Sequence, residues 1–263
     1  PQIELANRAE AHVHARSGGI MTVRSSRQTT KNEVSALLQG RALLRYSKTG
    51  GSWVRTAPTW KPQIINSKLR LELHLKRDPL IQKRWKAREG FIYECGLAQL
   101  FFLSSDKYAS VVGATASVCL DIDEAHHVDE EKFETEFSMM RAFSNCPTIL
   151  WGVAADKQDL LYKQQAWNKE HAPHLALEYP ARVWCECLPA WRKFYEDEVG
   201  RLGASHPAIL TQLDLVDIET LDAFLSPLQI ESILSGTHPR LEGPRSGFLY
   251  YAFVDVGGDD DEG

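Results

Sequence analysis

The stretch MTVRSSRQTTKNEV, residues 21–34, contains the part of the sequence that decides the fold. Its first residues belong to an apolar, β-branched run at 20–24, which predicts a buried strand. From 32 to 48 the apolar side chains recur at helical spacing, so a helix is expected next. Between them, SSRQTTKN at 25–32 leads a strand into a helix, which is the local arrangement of a phosphate-binding loop.

The turn at 25–32 departs from the phosphate-loop pattern G-x-x-x-x-G-K-[ST]. Ser25 and Thr30 replace the two glycines and Asn32 replaces the hydroxyl residue, whereas the lysine is kept. A β-branched residue such as Thr30 resists a positive φ, although Asn32 still offers an oxygen to Mg²⁺. Two interpretations stay open: a weakened phosphate loop, or a helix N-terminus capped by serine or threonine. The candidate phosphate-binding residues are Ser26, Arg27, Gln28, Thr29, Thr30, Lys31 and Asn32.

A second motif, SVCLDIDEAHH at 117–127, places two adjacent carboxylates at the end of an apolar strand. Adjacent carboxylates repel each other, so the arrangement is costly without a compensating charge. In a nucleotide hydrolase Asp123 would hold Mg²⁺ through water, and Glu124 would polarise the attacking water. Lys31 lies about 90 residues earlier with two strands between, which fits one site at the carboxyl edge of a parallel sheet. The predicted catalytic residues are Lys31 and Glu124, with ATP and Mg²⁺ as ligands.

Strands alternate with helices along the first 200 residues, which predicts an α/β fold of the P-loop NTPase type. We expect a mostly parallel sheet flanked by helices. Further strands are predicted at 50–59, 90–105 (a hairpin turned near Gly96), 116–123 and 147–154, with helices at 3–16, 61–77 and 130–143. After about residue 200 the pattern changes to proline turns around short helices at 206–246, which we interpret as a linker. GFLYYAFVDVGG at 247–258 then begins another strand.

The composition is that of a globular protein, with 43% hydrophobic and 25% charged residues. No apolar run approaches the roughly 20 residues that cross a bilayer, and no secretory signal is evident. The five cysteines form no pair with zinc-finger spacing. Cys185 and Cys187 could share a metal, or all five could be reduced, buried thiols. We therefore expect an intracellular protein.

Charge is divided unevenly along the chain. Residues 1–110 contain 19 Lys and Arg against 8 Asp and Glu, whereas residues 111–263 contain 11 against 27. A basic first half suits binding to a polyanion such as nucleic acid, and the densest basic run lies between 68 and 88. A solvated surface with uneven charge is the alternative explanation.

Five segments occur in the order seen in large terminase subunits, the DNA-packaging motors of tailed bacteriophages and prophages. They are RSSRQTTKNEVSALL, VRTAPTWKPQ, VVGATASVCLDIDEAHHVD, LWGVAADKQDLLY and YAFVDVGGDDDEG. The chain resembles that family over nearly its whole length, and SRQ-x-x-KN and DEA are the most specific parts of the resemblance.

The resemblance implies a RecA-like ATPase domain at 1–205, a small helical linker at 206–246, and the truncated start of an RNase H-like nuclease at 247–263. The ATPase would hydrolyse MgATP to drive double-stranded DNA into a capsid. It would act as a homo-oligomeric ring with a portal protein and a small terminase subunit, in the cytoplasm of the host cell and without a membrane. Asp255 would be a metal ligand of the nuclease. Gln2 resembles an adenine-reading glutamine, or is simply an exposed residue.

Two departures from the family pattern keep other functions open. Relatives commonly carry glycine where Thr30 stands, which implies an impaired ATPase, or a prophage remnant that binds DNA or the portal without turnover. The segment YASVVGATASVCL also lacks the arginine that some relatives place there to act on a neighbouring subunit; the nearest candidates are Arg84 and Arg141. A helicase-like P-loop ATPase is a further alternative, although it would need a second RecA-like domain.

Overall fold

A computed structural model of the chain describes residues 1–29, 31–109, 111 and 113–218. The chain divides into two compact units, Pro1–Leu221 and Asp222–Gly263, and the described residues all belong to the first. The predicted strand at 247–258 and most of the predicted linker therefore lie outside the described residues. The first unit is built on an eight-stranded sheet.

The sheet is mostly parallel. Its strands are β1 (Ile20–Ser25), β2 (Gly51–Ala57), β3 (Trp85–Arg88), β4 (Ile92–Cys95), β5 (Ala98–Ser104), β6 (Cys119–Ile122), β7 (Thr148–Gly152) and β8 (Ala176–Tyr179). Across the sheet they lie in the order β3-β4-β5-β2-β6-β7-β1-β8. From β5 to β8 the neighbouring strands pair in parallel, and β4 pairs antiparallel with both β3 and β5. The predicted α/β fold with a mostly parallel sheet is confirmed.

Helices lie in most of the connections between the parallel strands, although none is described between β5 and β6. They are α1 (Gln2–Ala15), α2 (Lys31–Arg45), α3 (Ile65–Arg77), α4 (Glu130–Lys132), α5 (Leu160–His171), α6 (Ala181–Cys187), α7 (Pro189–Leu202) and α8 (Pro207–Ile209). Helical turns precede α3 at Trp60–Ile64, extend α4 through Phe133–Phe137 and Ser138–Arg141, and extend α8 through Leu210–Asp214. A short helical turn, Ala125–His127, follows β6. No helix in the described ranges is long and apolar enough to cross a membrane.

Each central strand buries both of its faces, and successive residues alternate between two hydrophobic cores. Val23, Trp53 and Ile149 lie in the core formed with α1, α2 and α3. Val54 and Leu150, each one residue further along its strand, lie in the core formed with α5 and the turns after α4. This period of two is the strand period, and the burial of both faces is what a parallel sheet requires.

The parallel pairing brings the carboxyl ends of the central strands to one edge of the sheet. At this edge β1 leads into the turn before α2, β6 leads into Asp123, and β7 leads into residue 153. Ligands of open α/β sheets bind at such an edge. The topology therefore places the two motifs singled out in the sequence next to each other, although about 90 residues separate them.

The sequence did not predict two strands and the position of one segment. β3 has the sequence WKAR and β8 has ALEY, and both are too short to show a hydrophobic alternation. Residues 206–218, interpreted as part of a linker, pack in the same unit as the sheet. The remaining division of the chain into domains stays a prediction.

We predict that Gly96→Ala destabilises the protein. Gly96 turns the hairpin from β4 to β5 with a φ of 59°, and a Cβ there would overlap the carbonyl oxygen of Ser47, which accepts the Leu97 N–H at 2.8 Å. Because the obstructing atom is backbone, we expect the free energy of unfolding to fall by about 2 kcal/mol or more in urea denaturation.

Gly200→Ala is the matched control for this substitution. Gly200 lies in α7, and a Cβ there would meet open space. Because alanine is the better helix former, we expect a gain of about 0.5–1 kcal/mol. Equal losses in the two variants would contradict the proposed role of Gly96.

Candidate functional site

The turn after β1 holds its shape through side chains rather than glycine. Gln28 is exposed and has a φ of 64°, in the left-handed region that glycine adopts most easily. The Thr29 hydroxyl is buried, where it hydrogen-bonds with the Ser25 hydroxyl at 2.8 Å and donates to the Ser26 carbonyl. Ser25, which replaces the first glycine of the motif, therefore stabilises the turn through its side chain. Thr30 lies outside the described residues.

Two of the candidate phosphate-binding residues anchor the turn to the rest of the protein. Ser26 donates its N–H to the Tyr179 carbonyl at 3.1 Å and its hydroxyl to the Leu213 carbonyl at 2.6 Å. Arg27 donates its N–H to the Gln212 carbonyl at 2.8 Å, while its guanidinium group extends to the Gln212 side chain at 3.3 Å. The beginning of the turn is thus bound to the end of β8 and to the turns after α8.

Arg24, at the end of β1, reinforces this attachment. Its guanidinium is 2% exposed and donates to both carboxylate oxygens of Asp217 at 2.8 Å and to the Leu215 carbonyl at 3.2 Å. Glu178 of β8 lies 3.3 Å away. A bidentate pair between a buried arginine and a carboxylate has a defined geometry. Residues 212–217 therefore form a clamp on β1 and its turn, which we call the C-terminal clamp.

Lys31 and Glu124 meet at the carboxyl edge of the sheet. The Lys31 Nζ is largely buried and lies 3.6 Å from Glu124 Oε1. Burial alone would raise the pKa of Glu124, but the charge and hydrogen bond of Lys31 act with the two neighbouring histidines to lower the pKa overall. His126 Nε2 lies 3.5 Å from the other carboxylate oxygen, and burial lowers the pKa of this imidazole to about 3. Glu124 is therefore an ionised carboxylate at neutral pH, beside an ammonium group and a neutral ring.

Asp123 and Asn32 share one partner that the sequence did not single out, Arg55 of β2. The Arg55 Nη2 lies 2.7 Å from Asp123 Oδ2 and donates to Asn32 Oδ1 at 3.0 Å. The other Asp123 oxygen accepts the Glu124 N–H at 3.1 Å. Burial raises the pKa of Asp123, and Arg55 opposes that rise. One guanidinium nitrogen thus bridges the second residue of α2 and the first carboxylate after β6.

Arg55 is itself fixed by Asp121, its register partner on β6. Burial would lower the pKa of Arg55, but the carboxylates of Asp121 and Asp123 outweigh it and the pKa is raised. Asp121 is fully buried and accepts from donors on α2, β2 and β7. These are Ser35 Oγ (2.8 Å), Gln39 Nε2 (2.9 Å), Trp53 Nε1 (3.1 Å), Arg55 Nη1 (2.5 Å) and Trp151 Nε1 (2.7 Å).

A signal for this pair was present in the sequence. Arg55 interrupts the apolar strand WVRTA, and Asp121 interrupts CLDID, where a single charge in a buried strand requires a partner. Pairing the two residues, however, requires the order of the strands and their register. Neither can be read from one sequence.

The contacts of Asp123 and Asn32 do not fit a magnesium ion bound by these two residues. Both oxygen atoms that would face the ion, Asp123 Oδ2 and Asn32 Oδ1, already accept from the Arg55 guanidinium. Within the part of the chain that the structure describes, no group of three His, Cys, Asp or Glu side chains converges, although a Mg²⁺ ion bound with phosphates needs only one or two protein ligands. Asp255, the other predicted metal ligand, lies outside that part.

The remaining candidates lie away from this cluster. Gln2 is exposed and lines a cleft of about 290 Å³ together with the first turn of α2. Arg141 donates to the Gly19 and Cys146 carbonyls, at the amino ends of β1 and β7 and so at the opposite edge of the sheet. Arg84 donates to the Ser47 hydroxyl at 3.4 Å.

We predict that Asp159 makes stability depend on pH. Its carboxylate caps α5 by accepting the Tyr162 N–H at 2.7 Å; burial raises its pKa to about 6, and Asp217 of the C-terminal clamp adds to the rise. Between about pH 4 and pH 6 the folded state retains a proton that the unfolded state has lost, so stability decreases as the pH rises.

Asp159→Asn should flatten that decrease and give the more stable protein at pH 7, because asparagine still caps the helix. Urea denaturation between pH 4 and pH 7 measures the slope. Asp129→Asn, at the equivalent cap of α4, is the matched control and should leave the slope in place. A slope that persists in Asp159→Asn would contradict the prediction.

The chain was compared with known proteins by sequence and by structure. The sequence matches no protein-family model and has no significant match among curated proteins. Among solved structures, the chain is similar to the HK97 bacteriophage large terminase, with a TM-score of 0.63 and 16% identity over 78% of this chain and 48% of that one. The large terminase of a thermophilic bacteriophage, in complex with ADP, gives a TM-score of 0.57 and 11% identity, over 81% and 52% of the two chains.

A third similar structure is the ATPase domain of the Thermus phage P74-26 large terminase, with a TM-score of 0.58 and 13% identity over 79% of this chain and 92% of that domain. The chain thus spans about half the length of the first two terminases and most of the isolated P74-26 domain. At these identities the similarity is one of architecture. The described part of the chain has the fold of the ATPase domain of bacteriophage large terminases.

Proposed function

We propose that the chain binds ATP at the turn after β1 and hydrolyses it, as the ATPase portion of a large terminase that drives double-stranded DNA into a viral capsid. The observation that carries the proposal is the meeting of Lys31 with the Glu124 carboxylate, 3.6 Å apart, at the carboxyl edge of the sheet. The architecture supports it, since solved structures of the thermophilic bacteriophage terminase contain ADP and ATP-γ-S.

In this proposal Lys31 and the start of α2 bind the phosphates. The first N–H groups of a helix have no carbonyl partner within the helix, and the helix dipole favours an anion there. The Lys31 ammonium, now paired with Glu124, would exchange that carboxylate for a phosphate oxygen. The exposed Arg27 and Gln28 lie at the open side of the turn.

Glu124 would then orient and deprotonate the attacking water. A general base must be ionised and within reach of the proton that it removes. Before nucleotide binds, the pKa of this carboxylate is lowered and it is ionised, while burial keeps the neighbouring His126 neutral. The sequence also predicts Mg²⁺ at Asp123. Because Arg55 holds the oxygens that would face the ion, the proposed reaction assigns no role to Mg²⁺.

The DNA partner is proposed from the charge distribution together with the fold. The basic run on α3 and β3 is partly neutralised: Arg70 pairs with Glu33, Lys76 with Glu72, and Arg88 with Glu94. Lys61, Lys83 and Lys86 of the same region are exposed and are available to track a phosphate backbone. The ring, the portal protein, the small subunit, the nuclease role of Asp255 and the site of action in the host cytoplasm all rest on the family resemblance and stay proposals.

The first experiment is a calorimetric titration of the chain with ATP-γ-S. We expect Lys31→Ala to weaken binding by about tenfold to a hundredfold, the effect of losing a hydrogen bond to a charged group. Lys48→Ala, an exposed lysine beyond the other end of α2, is the matched control and should bind like the wild type. Wild-type affinity in Lys31→Ala would contradict the proposed site.

Hydrolysis is measured separately with Glu124→Gln, which preserves the shape of the side chain but cannot accept a proton. We expect this variant to retain nucleotide affinity and to lose at least about a hundredfold in turnover, as is typical when a general base is removed. Unchanged turnover would assign the reaction to another residue. Binding is the primary test because turnover in a ring can require a neighbouring subunit.

A further inference from the structure

We propose that Arg55 serves as the resident cation of the nucleotide site, so that this chain binds a nucleoside diphosphate without a divalent metal ion. The inference rests on the proposed function and deepens it. It arises because the two predicted magnesium ligands, Asn32 and Asp123, both pair with Arg55 instead.

The position of one atom carries the argument. In a phosphate-loop protein the residue after the lysine and the carboxylate after the partner strand hold one cation between them. Here those residues are Asn32 and Asp123, and the Arg55 Nη2 lies between them, 3.0 Å from Asn32 Oδ1 and 2.7 Å from Asp123 Oδ2. A guanidinium hydrogen-bond donor thus lies at the position where both oxygens would face a metal.

Arg55 is not free to leave this position. Its side chain is 1% exposed, and its other terminal nitrogen pairs with the fully buried Asp121. Withdrawal of Arg55 would leave Asp121 as a buried carboxylate without a counter-charge, which is strongly unfavourable. Because α2, β2, β6 and β7 all contribute to this cluster, ligand binding at the surface of the turn cannot easily displace the guanidinium.

The fixed charge of Arg55 would also repel a divalent ion. Arginine stays protonated under all relevant conditions, so Arg55 is a permanent positive charge. Together with Lys31 it offsets two of the three negative charges of Asp121, Asp123 and Glu124. A divalent ion would have to sit beside the guanidinium and compete with it for the same two oxygens. Arg55 would supply the positive potential behind the phosphates that an ion otherwise supplies.

The test is a calorimetric titration of the wild-type chain with ADP, in excess EDTA and in millimolar Mg²⁺. We expect the two dissociation constants to agree within about threefold. Binding that is detectable only with Mg²⁺, or more than thirtyfold tighter with it, would overturn the role of Arg55 and leave the proposed nucleotide site standing. Binding in neither buffer would overturn both proposals.

A second set of variants tests the residue itself. Arg55→Met combined with Asp121→Asn removes the guanidinium and the buried charge together, and frees the oxygens of Asn32 and Asp123. We expect this double variant to bind ADP at least tenfold more tightly with Mg²⁺ than in EDTA. Arg55→Lys keeps the charge but cannot span both oxygens, and it provides a second test if the double variant fails to fold. We expect it, too, to bind ADP more tightly with Mg²⁺ than in EDTA.

Paramagnetic resonance of Mn²⁺ gives a readout independent of affinity for ADP. With ADP present, we expect the wild-type chain to bind no more Mn²⁺ than ADP does alone, whereas both Arg55 variants should bind additional Mn²⁺. Arg88→Met, an exposed arginine paired with Glu94 on β3, is the matched control and should behave like the wild type. Stoichiometric Mn²⁺ binding by the wild type would overturn the proposal.

Discussion

The buried ion pair between Arg55 and Asp121 is the interaction on which the rest of the site depends. A charge removed from water is tolerated only if it is paired and its remaining hydrogen-bonding capacity is used. Asp121 meets this condition with donors from one helix and two neighbouring strands, so the pair joins α2 to the middle of the sheet. The placement of Asn32, Asp123 and Glu124 relative to one another follows from that junction.

The phosphate-loop candidate shows how a turn can keep its path without glycine. In the usual motif the glycines let the backbone take positive φ values and approach the ligand closely. In this chain the hydroxyls of Ser25 and Thr29 bond across the turn, and Ser26 and Arg27 are bound by carbonyls of β8 and the C-terminal clamp. The turn is thus stabilised from outside by protein contacts, and its shape depends on residues almost 190 positions away.

Much of the fold could be predicted from the sequence because apolar residues recur with clear periods in the central strands and their helices. The runs ending at Arg24 and Asp123 were identified by their apolar character, and the parallel alternation brought them to one edge. β3 was missed because WKAR carries no hydrophobic period. The role of Arg55 was missed for a different reason: its partners lie on two separate segments, the start of α2 and the end of β6, and the register of β2 against β6 aligns Arg55 with Asp121. The same holds for Arg24 and Asp217, which tie residues 212–217 to the sheet despite their linker-like composition.

The C-terminal clamp has a consequence for the order in which the chain is made. The bonds from Ser26 to Leu213 and from Arg24 to Asp217 span 187 and 193 positions of the sequence. At a translation rate of about 5–20 residues per second, a ribosome needs roughly 10–40 s to add the residues between the two ends. During that interval β1 and its turn exist without their anchors, and Arg24 is a charge without its bidentate partner. The turn after β1 therefore matures late in synthesis, and a nascent chain that has not yet reached Asp217 carries the motif without the contacts that shape it.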